Sequence, residues 1–582
     1  MLDGTDGGQE QDRRSLGPGL VSDRAVHLLV GLLMGLAIYG LTENADWLRD
    51  NPLVAYPSWV LALFWPTLFL LCCRHGFRLR ALAWVSGFCA LLALLALYTG
   101  WQASPRDAGG LLPDWLAMLG DPFGLSMQVV CFVALIHLQP LIGGRDRDYE
   151  AFFTLSWRNF LTVVLSALLT LGVWLVTLLW AGLFELIGIG FFSELFEENW
   201  FLSPVLAVAF ALGLNSFGTA ISMVDRVTTL LSRFFWLLLP ILALATTCFL
   251  VALPFTGLQP LWDSTFGTGT LVTACLWGLF FLNAVYQTGE RLPYPRAVHR
   301  ALSVAVFLFP CLVGLATYGL ALRVTQYGWT PDRCWALLTI VLMALFSLGY
   351  AVAIAWRRDD WPSVLPWINR PMSWVVLGSL LLATSPLLDF RSISARSHFA
   401  RVESGELLAE DLDPRHVREL GRPGRIRLDA LLERLDREDP QAGVAVRARL
   451  AEDKEVGGWT PRQLAGIVMR PEPFEITGGL VEELERFKNR RPDFLFRVEL
   501  GGGDTPEVVA VWQESGYIET SCATWRDAQW VYCGRRYAVR AARRDLPREE
   551  LLEILGKADF EAVIPDRPYK DLRIGEHILL EH

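Results

Sequence analysis

The sequence predicts a polytopic α-helical membrane protein of about 11 transmembrane helices with a C-terminal α+β soluble domain. Hydrophobic residues make up 53% of the 582 residues, and the 23 Trp and 33 Phe exceed what soluble proteins usually carry. Apolar runs of about 20 residues, the length that crosses hydrocarbon as a helix, recur through the first two thirds. The predicted organisation is a disordered N-terminal tail at 1–23, a transmembrane helical bundle at 24–389 and an extracytoplasmic α+β domain at 390–582, helical at 405–490 and strand-rich at 491–582.

The tail is polar, acidic and Gly-rich. It lacks the basic start, short apolar core and small-residue cleavage site of a secretory signal, so its composition favours disorder. Eleven apolar runs follow, and each predicts a helix because backbone polar groups in lipid must be bonded within the segment. The predicted spans are 25–43, 55–73, 80–101, 123–143, 159–187, 201–223, 232–253, 269–288, 299–321, 334–356 and 372–388.

The arginines of the loops predict the orientation, because basic residues are retained on the cytoplasmic side. With the N-terminus inside, 17 arginines fall in the tail and inner loops, and only Arg49, Arg106, Arg323 and Arg333 fall outside. We therefore expect a multi-pass protein of the bacterial inner (plasma) membrane with a cytoplasmic N-terminus and a periplasmic C-terminal domain. The lipid bilayer is its first expected partner.

Charge density rises abruptly after Asp389. Up to that residue the chain holds 21 of its 52 basic residues, 25 of its 61 acidic residues and no lysine. The net charge of -9 is shared by both parts. It argues against a nucleic-acid partner, because such proteins need a dominant basic surface.

The C-terminal domain begins with helical signals and ends with strand signals. Asp413-Pro414 and Thr460-Pro461 each place an N-cap residue before a proline, which predicts helices between Asp413 and about Lys488. Alternating apolar residues predict strands at 493–500, 507–513, 517–521, 529–533 and 574–580, with a helix at 548–555. Gly501 to Gly503 is typical of a hairpin turn.

Cys522 and Cys533 are the two cysteines of this domain. A periplasmic location favours a disulfide between them, and two buried thiols are the alternative. Their spacing is not CxxC, so we expect no metal site at this pair.

Polar side chains within the predicted spans are candidates for a membrane site, because they are costly in lipid. They are His137, Glu185, Asn215, Asn283 and Gln287. Glu185 could relay protons or bind a cation, or it could reach the headgroups at the outer end of its span. The asparagines could line a cavity or join helices by hydrogen bonds, and His137 could cap a broken helix end.

The segment that leaves the last span alternates charges and hydroxyls. Its candidate interfacial residues are Asp389, Arg391, Ser394, Arg396, Ser397 and Arg401. One interpretation is a polar site that binds a headgroup or a periplasmic ligand, or that couples the two domains. The other is an interfacial helix whose arginines contact lipid phosphates.

The usual catalytic signatures are missing from the sequence. The eight histidines are scattered without an HExxH motif, and no GxxxxGK[ST] phosphate loop occurs. The sequence therefore assigns no catalytic residue, no metal and no cofactor.

Four stretches carry a family resemblance: 179–196 (LWAGLFELIGIGFFSELF), 253–264 (LPFTGLQPLWDS), 327–336 (YGWTPDRCWA) and 385–405 (SPLLDFRSISARSHFARVESG). On these residues the chain resembles the uncharacterised bacterial membrane family catalogued as domain of unknown function 4153. The resemblance implies an inner-membrane protein and implies no activity. Some relatives look as if they carry a DxDGDG turn near the C-terminus, whereas this chain offers only Glu499 and Asp504 there, too few carboxylates for calcium.

Three functions fit the sequence. The first is a cell-envelope anchor or sensor whose periplasmic domain binds an envelope protein or a small ligand. The second is a transporter or flippase-like permease that uses the polar residues of the bundle, and it requires Glu185 to point into a polar cavity. The third, less favoured, is a membrane enzyme on lipid-linked substrates, which requires Asp389, Arg391 and Arg401 to converge on one pocket.

Overall fold

The structure is a computed structural model, and it is helical throughout the described part of the chain before residue 453. It describes residues 23–73, 79–103, 122–143, 148–258, 267–290, 292–409, 412, 416–417, 420–452, 468–470, 476, 480–481, 484, 492, 494–498, 507–514, 517–526, 529–532, 537–539, 561–563, 571–574 and 577–580. The α-helices are α1 Asp23–Glu43, α2 Ala45–Asp50, α3 Pro52–Cys72, α4 Leu79–Gln102, α5 Pro122–Gly143, α6 Tyr149–Glu185, α7 Phe191–Glu197, α8 Asn199–Thr219, α9 Ile221–Thr256, α10 Gly267–Tyr286, α11 Arg296–Phe307, α12 Phe309–Tyr327, α13 Pro331–Arg357, α14 Leu365–Ala383, α15 Phe390–Glu403, α16 Arg422–Glu438 and α17 Pro440–Glu452.

Ten stretches of the described chain are long and apolar enough to cross a membrane, which supports the predicted multi-pass class. The last of them, Pro331–Ala383, has 53 residues. A single helix of that length would extend about 80 Å, more than twice the hydrocarbon thickness. It is divided instead by the 3₁₀ helix Arg358–Val364 into α13 and α14, which pack against one another.

The N-terminal half of the bundle packs around α3, α4 and α5. Leu70, Leu92 and Met127 are fully buried at the centre of this core. Helix α1 approaches α8 closely through small residues, because a Cβ added at Gly31 would meet Ala211 and one at Gly35 would meet the Pro204 backbone. Such close approach increases dispersion contact between helices where no hydrophobic force drives them together.

The second half packs around α10, α11, α13 and the 3₁₀ helix. Tyr286, Tyr350 and Trp361 are its largest buried side chains. Their position near the ends of α10 and α13 defines one end of the bundle. We call this the inner end, at Tyr149, Tyr286, Arg357 and Leu365, and the opposite one the outer end, at Gln102, Tyr327 and Ala383.

By its contacts the chain divides into two compact units, Met1–Glu406 with Glu419–Arg427, and Leu407–Arg418 with Leu428–His582. The sequence prediction began the C-terminal domain at residue 390. In the structure α15 belongs to the first unit, because its residues Phe390, Ala395 and Phe399 are buried there.

The described strands of the second unit form two sheets. They are β1 Val468–Arg470, β2 Phe494–Val498, β3 Glu507–Glu514, β4 Tyr517–Arg526, β5 Gln529–Tyr532, β6 Tyr537–Val539, β7 Glu561–Val563, β8 Asp571–Ile574 and β9 His577–Leu580. The larger sheet has the order β1-β2-β3-β4-β5 with β6 also on β4, and only the β1–β2 pair is parallel. The smaller sheet has the order β7-β8-β9. Leu480, Val481 and Leu484 pack against the larger sheet.

The predicted strands at 493–500, 507–513, 517–521 and 529–533 correspond to β2, β3, β4 and β5. Two predictions differ from the structure. The predicted helical region 405–490 contains the strand β1, and the predicted last strand 574–580 is divided between β8 and β9, which form a hairpin. The tail 1–22, the 548–555 helix, the 501–503 turn and Cys533 lie outside the described residues, so the predicted disulfide with Cys522 stays a prediction.

Candidate functional site

Four polar side chains from four helices bond to one another at the inner end, and we call them the inner network: Tyr149 of α6, Asn283 of α10, Tyr350 of α13 and Asn369 of α14. Asn369 Nδ2 donates to Asn283 Oδ1 at 2.6 Å and to Tyr149 Oη at 2.7 Å. Tyr350 Oη donates to Asn369 Oδ1 at 2.6 Å and accepts from Asn283 Nδ2 at 3.1 Å. Both amides thus have donor and acceptor engaged, and the network joins helices.

Sequence reasoning identified Asn283 and missed its three partners. The last predicted span began at residue 372, so Asn369 was assigned to a loop. In the structure α14 begins at Leu365, and Pro371 lies inside it. The sequence signal that could have identified Asn369 was an asparagine three residues before an apolar run. Tyr350 is only 1% exposed, and its hydroxyl position could not be deduced from periodicity.

His137 lies in α5 and contacts α14, not the inner network. Its Nε2 is 3.0 Å from Ser373 Oγ, and its ring stacks on Trp374 with 3.9 Å between the ring centroids. Ser373 Oγ donates to the Arg370 carbonyl oxygen at 2.7 Å. The serine hydroxyl has one proton, so the histidine must donate from Nε2. His137 therefore holds two helices together.

Glu185, Asn215 and Gln287 lie in three different places. Glu185 is the exposed last residue of α6, about 54 Å along that helix from Tyr149 of the inner network. Asn215 is half-buried in α8. Gln287 follows α10 in a left-handed conformation with φ 52°, and its side chain is exposed. The structure thus does not bring the predicted membrane-site residues to one cavity.

A second buried cluster at the inner end was also missed by the sequence. His299 Nε2 lies 2.9 Å from the Asp359 carbonyl oxygen, and its Nδ1 lies 2.9 Å from Tyr286 Oη. Since a carbonyl can only accept, Nε2 carries the proton and Nδ1 accepts from the tyrosine. Trp361 Nε1 donates to Ser303 Oγ at 2.9 Å. These bonds fix the turn between α13 and α14 onto α11.

The loop after α10 is held by close contacts. Gly289 has φ 79°, and a Cβ there would collide with the Pro362 carbonyl oxygen. Tyr294 Oη donates to the Trp236 carbonyl oxygen at 2.6 Å, and burial raises the pKa of the Tyr294 phenol, which keeps it a donor. Gln287, at the start of the same loop, has a positive φ of 52°, a conformation that costs a residue with a Cβ about 1–2 kcal/mol.

At the outer end, the segment that leaves α14 is fastened to other helix ends, and we call this the outer joint. Asp389 is the N-cap of α15, because its Oδ1 accepts from the Arg391 backbone N–H at 3.0 Å. Its Oδ2 accepts from Gln102 Nε2 at 2.5 Å and from the Ser392 hydroxyl. Gln102 is the last residue of α4 and is only 5% exposed. Asp389 therefore ties α15 to α4.

Ser394 and Ser397, one helical turn apart in α15, bind the backbone of one residue. Ser394 Oγ donates to the Trp329 carbonyl oxygen at 2.8 Å, and the Trp329 backbone N–H donates to Ser397 Oγ at 3.0 Å. Trp329 lies in the short connection between α12 and α13. The two serines therefore hold that connection against α15.

The arginines of α15 do not converge. Arg401 Nη2 donates to the Gln326 carbonyl oxygen at 3.0 Å, and its Nε lies 3.3 Å from Glu406 Oε2. Arg396 is exposed, and Arg391 is half-buried. Of the six predicted interfacial residues, Asp389, Ser394, Ser397 and Arg401 thus bond to other segments of the protein at the outer joint, and the six do not surround one pocket.

A second passage of the chain reaches the same joint. Gly421 has φ 60°, and a Cβ there would meet the Gln102 carbonyl oxygen. The guanidinium of Arg422 lies 4.0 Å from the ring centroid of Trp101, a cation–π geometry. The end of α4 therefore contacts the chain both where it leaves α14 and where it enters α16.

Cavities among the described residues are of different kinds. A cavity of about 20 Å³ beside Leu239, Leu282 and Tyr350 is apolar and too small for a ligand. A groove of about 640 Å³ between α1 and α3 is also apolar. A groove of about 410 Å³ between α6 and α9 has a polar lining. No group of three or more metal-ligating side chains occurs within the described part of the chain.

Comparisons with known proteins give a family and no activity. The profile of the family described as Domain of unknown function (DUF4153) matches residues 59–431. The matched stretch ends within α16, beyond the second passage of the chain at the outer joint. No curated protein and no solved structure matches the chain.

Proposed function

The chain belongs to the DUF4153 family, whose description assigns no activity, and from that premise we propose that it is a cell-envelope anchor or sensor. In this proposal the bundle holds a C-terminal α+β domain that binds an envelope protein or a small ligand in the periplasm. The observation that supports this proposal best is the outer joint. The chain leaves the first unit after Glu406, returns at Glu419–Arg427 and leaves again, and the end of α4 contacts both passages.

The contacts of α15 support eleven spans. Trp329 precedes α13, and Ser394 follows α14, yet the two are hydrogen-bonded. A chain that crosses a membrane in α13 must therefore cross back in α14 to reach its starting side. Counted as two spans, Pro331–Ala383 raises the ten candidates to eleven, an odd number that agrees with opposite locations for the N-terminus and the joint.

The charge distribution supports an outer joint on the periplasmic side. Arginines are concentrated at the inner end, and basic residues are retained in the cytoplasm. A phosphatase that is active only in the periplasm, fused after Arg401, is expected to be active, and one fused after Arg358 silent. The reverse pattern would overturn the proposed orientation and the proposed periplasmic location of the C-terminal domain.

The transporter and enzyme alternatives have less support in the described residues. Glu185 is exposed at a helix end, and Asn283 is engaged by Asn369 and Tyr350. Both carboxylate oxygens of Asp389 are engaged in capping α15 and in bonding to Gln102 and Ser392, and Arg391 and Arg401 do not converge with it on one pocket. The geometry therefore favours helix joining and fastening over transport or catalysis.

Two glycine variants test whether the outer joint holds both passages of the chain. Gly421→Ala inserts a Cβ against the Gln102 carbonyl, whereas Gly405→Ala inserts one at a similar φ of 78° with nothing within 4 Å. In lipid nanodiscs we expect Gly421→Ala to speed amide hydrogen exchange in both residues 420–427 and α15. Gly405→Ala should change exchange only near residue 405. Equal effects of the two variants, or an unchanged α15 in Gly421→Ala, would sink the proposal that the two passages are coupled.

A further inference from the structure

The polar groove at the inner end lies between the first turns of two long helices. Helix α6 has 37 residues and α9 has 36, although about 20 suffice to cross hydrocarbon. Residues 149–159 and 221–233 therefore extend beyond the apolar part of their helices. The groove, of about 410 Å³, is formed between these extensions and the loop that follows α10.

The protein core beneath the groove is apolar. Trp157, Leu161 and Val224 are buried there together with Ala284 of α10. This packing fixes the spacing of α6 and α9 below the polar lining. The groove therefore exists as a preformed concavity, as binding sites for small groups usually do.

Its walls carry two guanidinium groups and one carboxylate, those of Arg158, Arg233 and Asp225. Within the described part of the chain, neither arginine forms a hydrogen bond or ion pair with a side chain, although Asp225 lines the same groove. The groove thus has a net charge of +1 with its cationic donors unengaged. Planar guanidinium groups bind the oxygens of phosphate in pairs, which is the strongest of the polar contacts they make.

Hydroxyl and amide groups complete the lining. Gln287 Nε2 lies 3.5 Å from Ser232 Oγ across the groove. Gln287 keeps a positive φ at which glycine would be unstrained, and a residue held in such a conformation often has a function for its side chain. Thr228 and Thr229 donate to the Val224 and Asp225 carbonyl oxygens, so Ser232, Gln287 and the arginines supply the donors.

We propose that this groove binds a phosphate group, held between Arg158 and Arg233 and positioned by Gln287 and Ser232. The groove lies where the apolar parts of α6 and α9 begin, at the level of lipid headgroups on the inner side. The phosphate can therefore belong to an anionic phospholipid of that leaflet or to a free phosphate compound, and the chemistry of recognition is shared.

The test uses the full chain purified in detergent, with monomeric dihexanoyl phosphatidylglycerol as one probe and inorganic phosphate as the other. Binding is followed by native mass spectrometry and by the rise in the thermal unfolding midpoint. The double variant Arg158→Gln/Arg233→Gln is expected to weaken binding at least tenfold, because each charged hydrogen bond contributes about tenfold or more. Arg226→Gln is the matched control: it lies in α9, is exposed and does not line the groove, and it should change binding less than twofold.

Gln287→Gly separates binding from folding. Glycine adopts a positive φ without strain, so the thermal unfolding midpoint without probe should stay the same or rise, while binding of the probes falls.

The two probes distinguish the sources of the phosphate. Preference for the lipid probe supports a headgroup, and equal binding of inorganic phosphate supports a free phosphate compound. The proposal is overturned if wild type binds neither probe, or if Arg226→Gln weakens binding as much as the double variant.

Discussion

The inner network and the outer joint use hydrogen bonds in different ways. In the inner network, side chains bond to side chains: the amide of Asn369 contacts Asn283 and the hydroxyl of Tyr149. In the outer joint, side chains of α15 mostly bond to backbone, as Ser394 and Ser397 do to Trp329.

This difference predicts which substitutions the inner network and the outer joint tolerate. A side-chain pair requires two particular residue types, so a change in either partner leaves the other unsatisfied in a medium without water. A bond to backbone requires only one. We therefore expect the inner network to be sensitive at each of its four members. At the outer joint we expect the hydrogen bonds of Ser394 and Ser397 to depend on the serines and not on the residue type at position 329.

The largest effect is expected at the inner end from Trp361→Ala. Trp361 is fully buried and donates to Ser303, so its removal leaves a cavity and takes one of the two hydrogen bonds from the Ser303 hydroxyl, which keeps its bond to the His299 carbonyl oxygen. Substitutions of this kind cost about 3–5 kcal/mol. The midpoint of thermal unfolding in detergent measures it, with Trp367→Ala, at a tryptophan that is 80% exposed, as the control. Equal losses in the two variants would contradict the assigned core.

The next effect is expected from Tyr350→Phe, which removes one hydroxyl from the inner network. The Asn369 oxygen loses its 2.6 Å donor and Asn283 loses an acceptor. We expect a loss of about 1–2 kcal/mol, the usual cost of an unsatisfied buried group. Tyr327→Phe, at a 52% exposed tyrosine, should be close to neutral. A neutral Tyr350→Phe would show that the network does not stabilise the bundle.

Two double-mutant cycles test the comparison itself. Asn283→Ala with Asn369→Ala should give a coupling energy of at least about 0.5 kcal/mol, because the side chains contact directly. Ser394→Ala with Trp329→Phe should add within about 0.5 kcal/mol, because Ser394 bonds to the backbone of residue 329. Ser394→Ala alone should cost about 1 kcal/mol. Strong coupling in the second cycle would remove the distinction between the two ends.

The smallest effect is expected at an exposed ion pair outside the bundle. Arg447 Nη1 donates to Asp436 Oδ1 at 2.7 Å, and this guanidinium holds the pKa of the Asp436 carboxyl below its ordinary range. Because the pKa of Asp436 is lowered in the folded state, the ionised carboxylate stabilises that state at any pH above the ordinary pKa of aspartate. This contribution disappears as the pH falls through the lowered pKa, below about pH 4. Arg447→Gln should return the pKa of Asp436 upward in an NMR titration. It should leave the unfolding midpoint at pH 7 almost unchanged, because exposed pairs contribute little.

The sequence by itself determined which segments are helical and apolar, because hydropathy and backbone satisfaction are local properties. The apolar runs coincide largely with the helices found, although 201–223 and 299–321 each cross a helix break and 372–388 passes the end of α14. The alternating pattern after residue 493 corresponds to β2 to β5. The sequence also singled out Asn283 and the residues of α15 as unusual. The sequence could not assign their roles, because the role of each side chain depends on which residues of other helices it contacts.

Only the tertiary structure decided which polar groups meet. Gln102 and Asp389 are 287 residues apart, and Asn283 and Asn369 are 86 apart, so no window of sequence contains both partners. The paired serines of α15 became a joint only when Trp329 was brought beside them. The arginines that predicted the orientation became candidate ligands of a phosphate only when α6 and α9 packed side by side. Packing brings distant residues together, and this is why the site could be proposed only from the fold.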